Sequence, residues 1–242
     1  MLSQFSRNEL IFGKEFTDKL KNSHVAVFGL GGVGGYAVEA LARAGVGKID
    51  IVDNDTVNLT NINRQIIALH STLGQNKTDA WESRIKDINP DCIVTKHNVF
   101  YLPQNADDFD LNKYDYVIDA IDTVTSKIEL AVRCSLVGVK LISSMGTGNK
   151  KDPTLFKITD IYSTKVCPLA RVMRNELKKR GVKSLKVVYS EEKPINPDET
   201  ALREYMEENP SDTPKSVPGS NSFVPSVAGL IIASHVVKEL CV

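Results

Sequence analysis

The 242-residue chain carries no net charge, because 30 Lys and Arg are balanced by 30 Asp and Glu. That balance excludes a histone-like or polybasic protein. Cysteine is scarce too: Cys92, Cys134, Cys167 and Cys241 are the full set, and no two of them form a CxxC pair. A disulfide framework is excluded in a chain of this length, and a reducing, cytoplasmic setting is expected. Long apolar runs are lacking. Phe223 to Val237 is the nearest to one, but it contains Pro225 and His235 and falls short of the roughly 18 to 20 residues that span a bilayer. It reads as a buried or interface helix, with no stable membrane insertion expected. Met1 to Lys14 includes Arg7, Glu9 and Lys14, unlike the basic flank and unbroken apolar core of a signal peptide. Internal repeats and extended low-complexity tracts are also absent.

What remains is ordinary globular composition, 42% hydrophobic and 25% charged, at the upper end of what one core holds. His24 to Gly29 is a short apolar run ending in glycine, and Val33 to Ala44 suits a helix packed on a sheet. Further strands are expected at Lys48–Asp53, Cys92–Lys96, Tyr116–Ala120, Lys140–Ser143, Leu155–Ile158 and Leu185–Tyr189. Between them, helices are expected at Lys77–Asn89, near Asp107, and over Thr123–Val137, Cys167–Arg180, Asp198–Asn209 and Val227–Leu240. Strands alternating with helices imply an α/β fold, a Rossmann-like and mostly parallel sheet with helices on both faces. Residues 1–150 form its core and 151–242 a smaller C-terminal extension of the same domain. In the closing helix Val227, Leu230, Ile231, Ser234 and Val237 share helical spacing, and the three prolines between Asn209 and Pro218 mark a mobile loop.

Gly29-Leu30-Gly31-Gly32-Val33-Gly34 fits GxGxxG at a strand-to-helix junction. The first glycine makes the turn, the second admits phosphate close to the backbone, and the third packs helix on strand. Asp53, 22 residues after Gly31, stands where a ribose-binding acid belongs. These features serve NAD as well as ATP. The residues that follow favour a triphosphate: Asn61, Arg64 and Gln65 after the second strand, and Lys77 at the next helix start, supply amides, a guanidinium and an ammonium. Asp122 ends the Asp119-Ala120-Ile121-Asp122 segment at the carboxyl edge of the fourth strand, where a hard-cation ligand can hold Mg²⁺ against phosphates. Plainer roles stay open for each. Arg64 and Lys77 can solvate a loop and a helix start, Asp122 can cap the next helix, and Asp55 can be a turn residue.

Together the GxGxxG, Asp53-Asn54-Asp55, Asn61-Ile62-Asn63-Arg64-Gln65, Gly74-Gln75-Asn76-Lys77 and Asp119-to-Asp122 segments resemble the nucleotide-binding fold of the ThiF/MoeB/ubiquitin-activating enzyme superfamily. The resemblance implies ATP and Mg²⁺ as cofactors and adenylation of a carboxylate. It makes Asp53 a ribose ligand, Asn61, Arg64 and Lys77 phosphate ligands, and Asp122 the metal ligand and catalytic acid. Arg7 looks like the family arginine that reaches the γ-phosphate of the partner subunit in a homodimer. Ser143 to Thr154, Pro168 to Arg171, Val188 to Glu192 and Ser222 to Gly229 resemble the tRNA threonylcarbamoyladenosine dehydratase branch. That branch adenylates the threonine carboxylate beside the anticodon and closes a ring with loss of AMP. No protein nucleophile is then required, so the cysteines are read as structural; Cys167 stands where the branch tends to carry Asp. The alternative is adenylation of a ubiquitin-like sulfur carrier, whose activating enzymes typically carry the paired CxxC motifs missing here, and a cysteine-desulfurase-type partner is a further expectation.

A tRNA substrate also recasts the zero net charge. Lys165 to Lys186 holds eight Lys and Arg against Glu176, and Asp198 to Asp212 holds six acids against Arg203. Arg171, Arg174, Lys178, Lys179 and Arg180 become candidates for contact with the tRNA backbone, against the plainer reading of a solvated helix.

Overall fold

The computed structural model describes residues 2–209 and 218–241. The expected proline-rich loop therefore lies, over 210–217, outside the described residues. Seven strands form one sheet: β1 (His24–Phe28), β2 (Lys48–Val52), β3 (Ile93–His97), β4 (Tyr116–Asp119), β5 (Leu141–Ser144), β6 (Phe156–Asp160) and β7 (Lys186–Ser190). Their spatial order is β3-β2-β1-β4-β5-β7-β6. All neighbours are parallel except β6, which runs antiparallel to β7 at the edge.

The sheet is buried on both faces, which is why its central strands read as continuous apolar runs. On β1, Val25 and Val27 point into one core with Ile49, Ile51, Ile118 and Trp81, while Ala26 and Phe28 point into a second with Val117, Leu130 and Met173. Helices α3 (Gly34–Ala44), α4 (Lys77–Ile88) and α8 (Val224–Leu240) cover the first face, and α5 (Val124–Val137) and α6 (Pro168–Lys179) the second. The other helices are α1 (Ser6–Phe12) and α2 (Lys14–Asn22), which precede the sheet, and α7 (Glu199–Glu208). The segment near Asp107 forms a short 3-10 helix, Pro103–Asp108.

The apolar stripe expected on the last helix is only partly inward: Val237 is buried, but the centre of the stripe faces outward. Val224, Ala228, Gly229, Ile232, Ala233 and Val236 are buried against the core, whereas Leu230 is 45% exposed and Val227 and Ile231 only partly covered. The helix is apolar nearly all round, and spacing alone does not choose between two apolar faces.

At one end of the sheet Asp50 is fully enclosed and accepts from His24 Nε2 (2.8 Å), His97 Nε2 (3.1 Å), Lys113 Nζ (2.9 Å) and Tyr114 Oη (2.8 Å). Burial alone would raise its pKa, but these four bonds outweigh it and hold the carboxyl far below the usual range. The cluster ties β1, β2 and β3 to the chain that enters β4.

Candidate nucleotide-binding site

The strand order reverses between β1 and β4, and a crevice opens there at the carboxyl ends of the strands. It holds a cavity of about 650 Å³, within the range of nucleotide-sized pockets. The glycine turn forms one wall. Gly29 has φ +87°, and a Cβ there would stand 2.6 Å from the carbonyl oxygen of Ala120; a Cβ on Gly34 would stand 1.8 Å from the carbonyl oxygen of Gly29. Gly31 differs, because its Cβ would meet nothing nearer than Gln65 Nε2 at 3.8 Å. The protein itself leaves Gly31 uncrowded, as a backbone approached by a ligand requires.

Asp53 follows β2 and is mostly enclosed. Its Oδ2 accepts from Leu30 N (2.7 Å) and its Oδ1 from Asp55 N (2.9 Å). Burial raises its pKa above the ordinary aspartate value, although the Lys77 ammonium 3.9 Å away and the two N–H donors oppose the shift. Lys77, the first residue of α4, is only 4% exposed, so it does not merely solvate a helix start. Its Nζ donates to Asp55 Oδ2 at 2.7 Å, and its backbone N donates to the Asp55 carbonyl at 2.9 Å.

The Asn61–Gln65 segment is a tight helical turn, with Arg64 N and Gln65 N both donating to the Asn61 carbonyl (3.0 and 2.9 Å). Arg64 is half-buried. Its Nη1 donates to the Thr60 carbonyl (2.8 Å) and Asn63 Oδ1 (2.9 Å), and burial lowers its pKa. Among the described residues it has no ion pair, so a half-buried cation borders the cavity. Gln65 is buried beside it, and its Oε1 has no hydrogen-bond partner among the described residues.

Asp122 lines the cavity from the loop after β4. It does not cap α5, since Thr123 holds the N-cap position, and among the described residues its carboxylate accepts only from Thr123 Oγ1 at 3.3 Å. Thus Gly29, Gly31, Asp53, Asp55, Asn61, Arg64, Gln65, Lys77 and Asp122 all border one cavity. Arg7 does not. It lies exposed on α1, a helix anchored to the far end of α3 by Asn8 Nδ2 and the Arg43 carbonyl (3.2 Å). Sequence reasoning missed Phe100, Tyr101, Thr147, Gly148 and Tyr205, which also border the cavity. The first four follow strand ends at the same sheet edge, a usable signal; Tyr205 comes from α7, and nothing local announces it.

The basic helix is less uniformly free than its sequence implies. Lys179 and Arg180 pair with Glu176 (2.7 and 2.5 Å), and Arg174 donates to the carbonyl and hydroxyl of Thr164. Arg171 and Lys178 are exposed with no ion pair among the described residues. Cys92, Cys134 and Cys167 are buried thiols and Cys241 is half-buried, all unpaired. Burial pushes Cys92 up to about 11 and Cys134 up to about 12, values of inert thiols. No helix among the described residues is long and apolar enough to cross a membrane.

The family model that matches residues 5–241 is that of the ThiF family. The chain is 51% identical to the tRNA threonylcarbamoyladenosine dehydratase of Bacillus subtilis over 242 residues, covering 99% of this chain and 95% of that one. It is 33% identical to the Escherichia coli protein of the same name over 250 residues, covering 98% and 93%. The crystal structure of that E. coli dehydratase in complex with ATP superposes with a TM-score of 0.86 at 33% identity over 98% of this chain and 93% of that one, and its complex with AMP does so equally. A glycine turn at the switch point, an enclosed acid after β2 and a half-buried guanidinium at the cavity, all within a likeness that runs end to end, settle membership: the chain belongs to the ThiF family.

Proposed function

We propose that the protein is an ATP-dependent tRNA threonylcarbamoyladenosine dehydratase. The observation that carries this reading is the end-to-end likeness to an enzyme of that name solved with ATP and, separately, with AMP, the nucleotides at the two ends of an adenylation. The threonine carboxylate attacks the α-phosphate, pyrophosphate leaves, and the neighbouring carbamoyl group then displaces AMP to close the ring.

Bringing a carboxylate to a triphosphate sets anion against anion, so charge compensation dominates the barrier. Arg64 supplies a guanidinium that pairs with no carboxylate among the described residues. Lys77 supplies an ammonium whose partner, Asp55, is more than half exposed and therefore readily exchanged for phosphate. Asp53 is placed to accept from the ribose, and the Gly31 backbone leaves room for phosphate. Mg²⁺ fits the oxygen donor that Asp122 brings to the cavity, and no cluster of three His, Cys, Asp or Glu exists among the described residues. A cation held by one or two protein oxygens and the phosphates is the usual Mg²⁺ arrangement. When bound, it would neutralise phosphate charge and stabilise the leaving pyrophosphate.

The exposed α1, where Leu10 is 85% and Ile11 76% exposed, and the outward stripe of α8 support a homodimer in which Arg7 serves the second copy's nucleotide. A protein fully active at high dilution as a monomer would remove Arg7 from the site. The basic α6 begins beside the cavity rim, since Leu169 Cβ would be 3.9 Å from a Cβ on Gly146, and this supports contact with the tRNA. A cysteine-desulfurase-type partner would have to act without a thiol relay through Cys92, Cys134 or Cys167. The unpaired thiols support a cytoplasmic setting.

AMP release is expected to require tRNA that bears the threonylcarbamoyl group, with mass spectrometry of the nucleoside showing loss of water. AMP release that needs a Gly-Gly-tailed carrier protein would replace this reading with sulfur-carrier activation. Asp122→Asn and Lys77→Ala are each expected to abolish turnover in a folded protein, and near-parental rates in either would refute the site assignment.

A further inference from the structure

We infer that Lys127, acting with Asp119, is a positioning residue: their buried ion pair fixes the Ile121 peptide and thereby the direction in which Asp122 presents its carboxylate to the nucleotide cavity. Both side chains are 0% exposed, and Lys127 Nζ lies 3.0 Å from Asp119 Oδ2. Stability does not explain such a pair, because well-packed apolar residues of similar volume serve as well or better.

What an apolar pair cannot do is hold a peptide. Ile121 N donates to Asp119 Oδ1 at 3.1 Å, and the Ile121 carbonyl accepts from Lys127 Nζ at 3.1 Å. Both polar groups of Ile121 are thus captured by the two members of the pair. The preceding residue is held as well: Ala120 N donates to the Phe28 carbonyl at 2.8 Å, and the Ala120 carbonyl lies against Gly29. Ser143 Oγ donates to Asp119 Oδ2 at 2.5 Å, anchoring the assembly to β5. Among the described residues Asp122 itself accepts only from the Thr123 hydroxyl. Its aim is therefore set through the backbone, which leaves its oxygens available to a ligand. Lys127 closes the device from α5, where its own N–H donates to the Thr123 carbonyl at 3.1 Å.

The inference rests on the reading of Asp122 as the metal-side carboxylate, so Asp122→Asn is measured in parallel. Lys127→Met alone strands a buried carboxylate, and the test variant is therefore Asp119→Asn/Lys127→Met, which removes both charges and the bond to the Ile121 carbonyl. Its melting temperature is expected within about 5 °C of the parent. ATP affinity by calorimetry without Mg²⁺ is expected to stay within about twofold, while the gain in affinity on adding Mg²⁺ is lost, KM for ATP measured with Mg²⁺ rises in step with that loss, and kcat falls at least about tenfold. Asp122→Asn is expected to lose the same Mg²⁺-dependent gain.

A double variant that turns over within about twofold of the parent, or that loses Mg²⁺-free ATP binding in step with kcat, overturns the positioning role. If Asp122→Asn loses the Mg²⁺ gain and the folded double variant keeps it, the latch fails and the Asp122 assignment stands. If Asp122→Asn keeps the gain, both fail. Should the double variant not fold, Lys127→Arg retains the cation, and any fall in kcat is expected to be matched by a fall in the Mg²⁺ gain. A fall in kcat with that gain intact overturns the inference.

Discussion

Asp53, the proposed ribose ligand, holds its carboxylate at the expense of its own solvation. Two backbone N–H groups and a nearby ammonium favour its charge, yet burial prevails and raises its pKa. With the folded value above the ordinary aspartate value of about 3.9, acidification removes this carboxylate earlier than it would an exposed one. ATP binding that depends on Asp53 is therefore present at neutral pH and lost as the pH falls towards that raised pKa. Asp53→Asn is expected to weaken ATP binding about tenfold, the loss of one charged hydrogen bond, and to abolish most of the preference for ATP over 2′,3′-dideoxy-ATP. A preference that survives in Asp53→Asn would remove the ribose from Asp53. The residues of this site were legible in the sequence wherever chemistry and spacing coincide, as in Asp53 after Gly31 or Lys77 after Gly74. Lys127 was not, because a lysine within a helix reads as surface, and only its zero exposure against Asp119 shows otherwise. Tyr205 was equally hidden, brought to the cavity by a return of the chain that local spacing does not encode.

At the scale of elements, the seven strands were legible to within one or two residues, since a buried parallel strand is an apolar run with turn residues at its ends. The two N-terminal helices were not. α1 buries no residue and α2 only Leu20, so neither carries an apolar stripe long enough to read. The reversed direction of β6 was also silent, because side chains alternate identically in parallel and antiparallel strands. Helix α8 had the right extent and only partly the right face, and Gly229 explains what selects the buried one. A Cβ built there would stand 2.2 Å from the Val33 carbonyl oxygen and 2.9 Å from Tyr36 Cβ, so α8 crosses the start of α3 with the two backbones in close approach at this point. Gly229→Val is expected to push the helices apart and cost about 1–3 kcal/mol or more, read as a lower urea midpoint. Because Val33 adjoins the glycine turn and Pro225 lies against Gly32, ATP affinity is expected to fall as well. Leu230→Ala, one residue on and outward-facing, is expected to leave both unchanged in the monomer; equal losses in the two variants would refute the assignment of faces.

The whole molecule has zero formal charge and a polarised surface. The basic α6 adjoins the Gly146–Gly148 rim, and the acidic α7 brings Tyr205 to the same cavity. A polyanion approaching the site is drawn to one border and repelled by the other, which orients it without requiring a basic protein. The bases of α6 do not contribute equally. Each phosphate neutralised by a free cation steepens the fall of log K with log salt by about 0.7–0.9. Arg171 and Lys178, exposed and without ion pairs among the described residues, should each contribute a full step if they meet phosphates. Lys179 and Arg180 share Glu176, so either one must first relinquish that carboxylate, and its net contribution is smaller. Arg174 is engaged by Thr164; its loss should lower the unfolding midpoint more than the salt slope. Binding of threonylcarbamoyl-bearing tRNA, titrated across salt concentrations, is expected to lose about 0.7–0.9 of slope in Arg171→Ala and Lys178→Ala, less in Lys179→Ala or Arg180→Ala. Glu176→Gln, which frees both neighbours, is expected to steepen the slope. Parental slopes in both Arg171→Ala and Lys178→Ala would move the tRNA off α6 altogether. A slope lowered equally at all four positions would show instead that Glu176 releases its partners when the tRNA arrives.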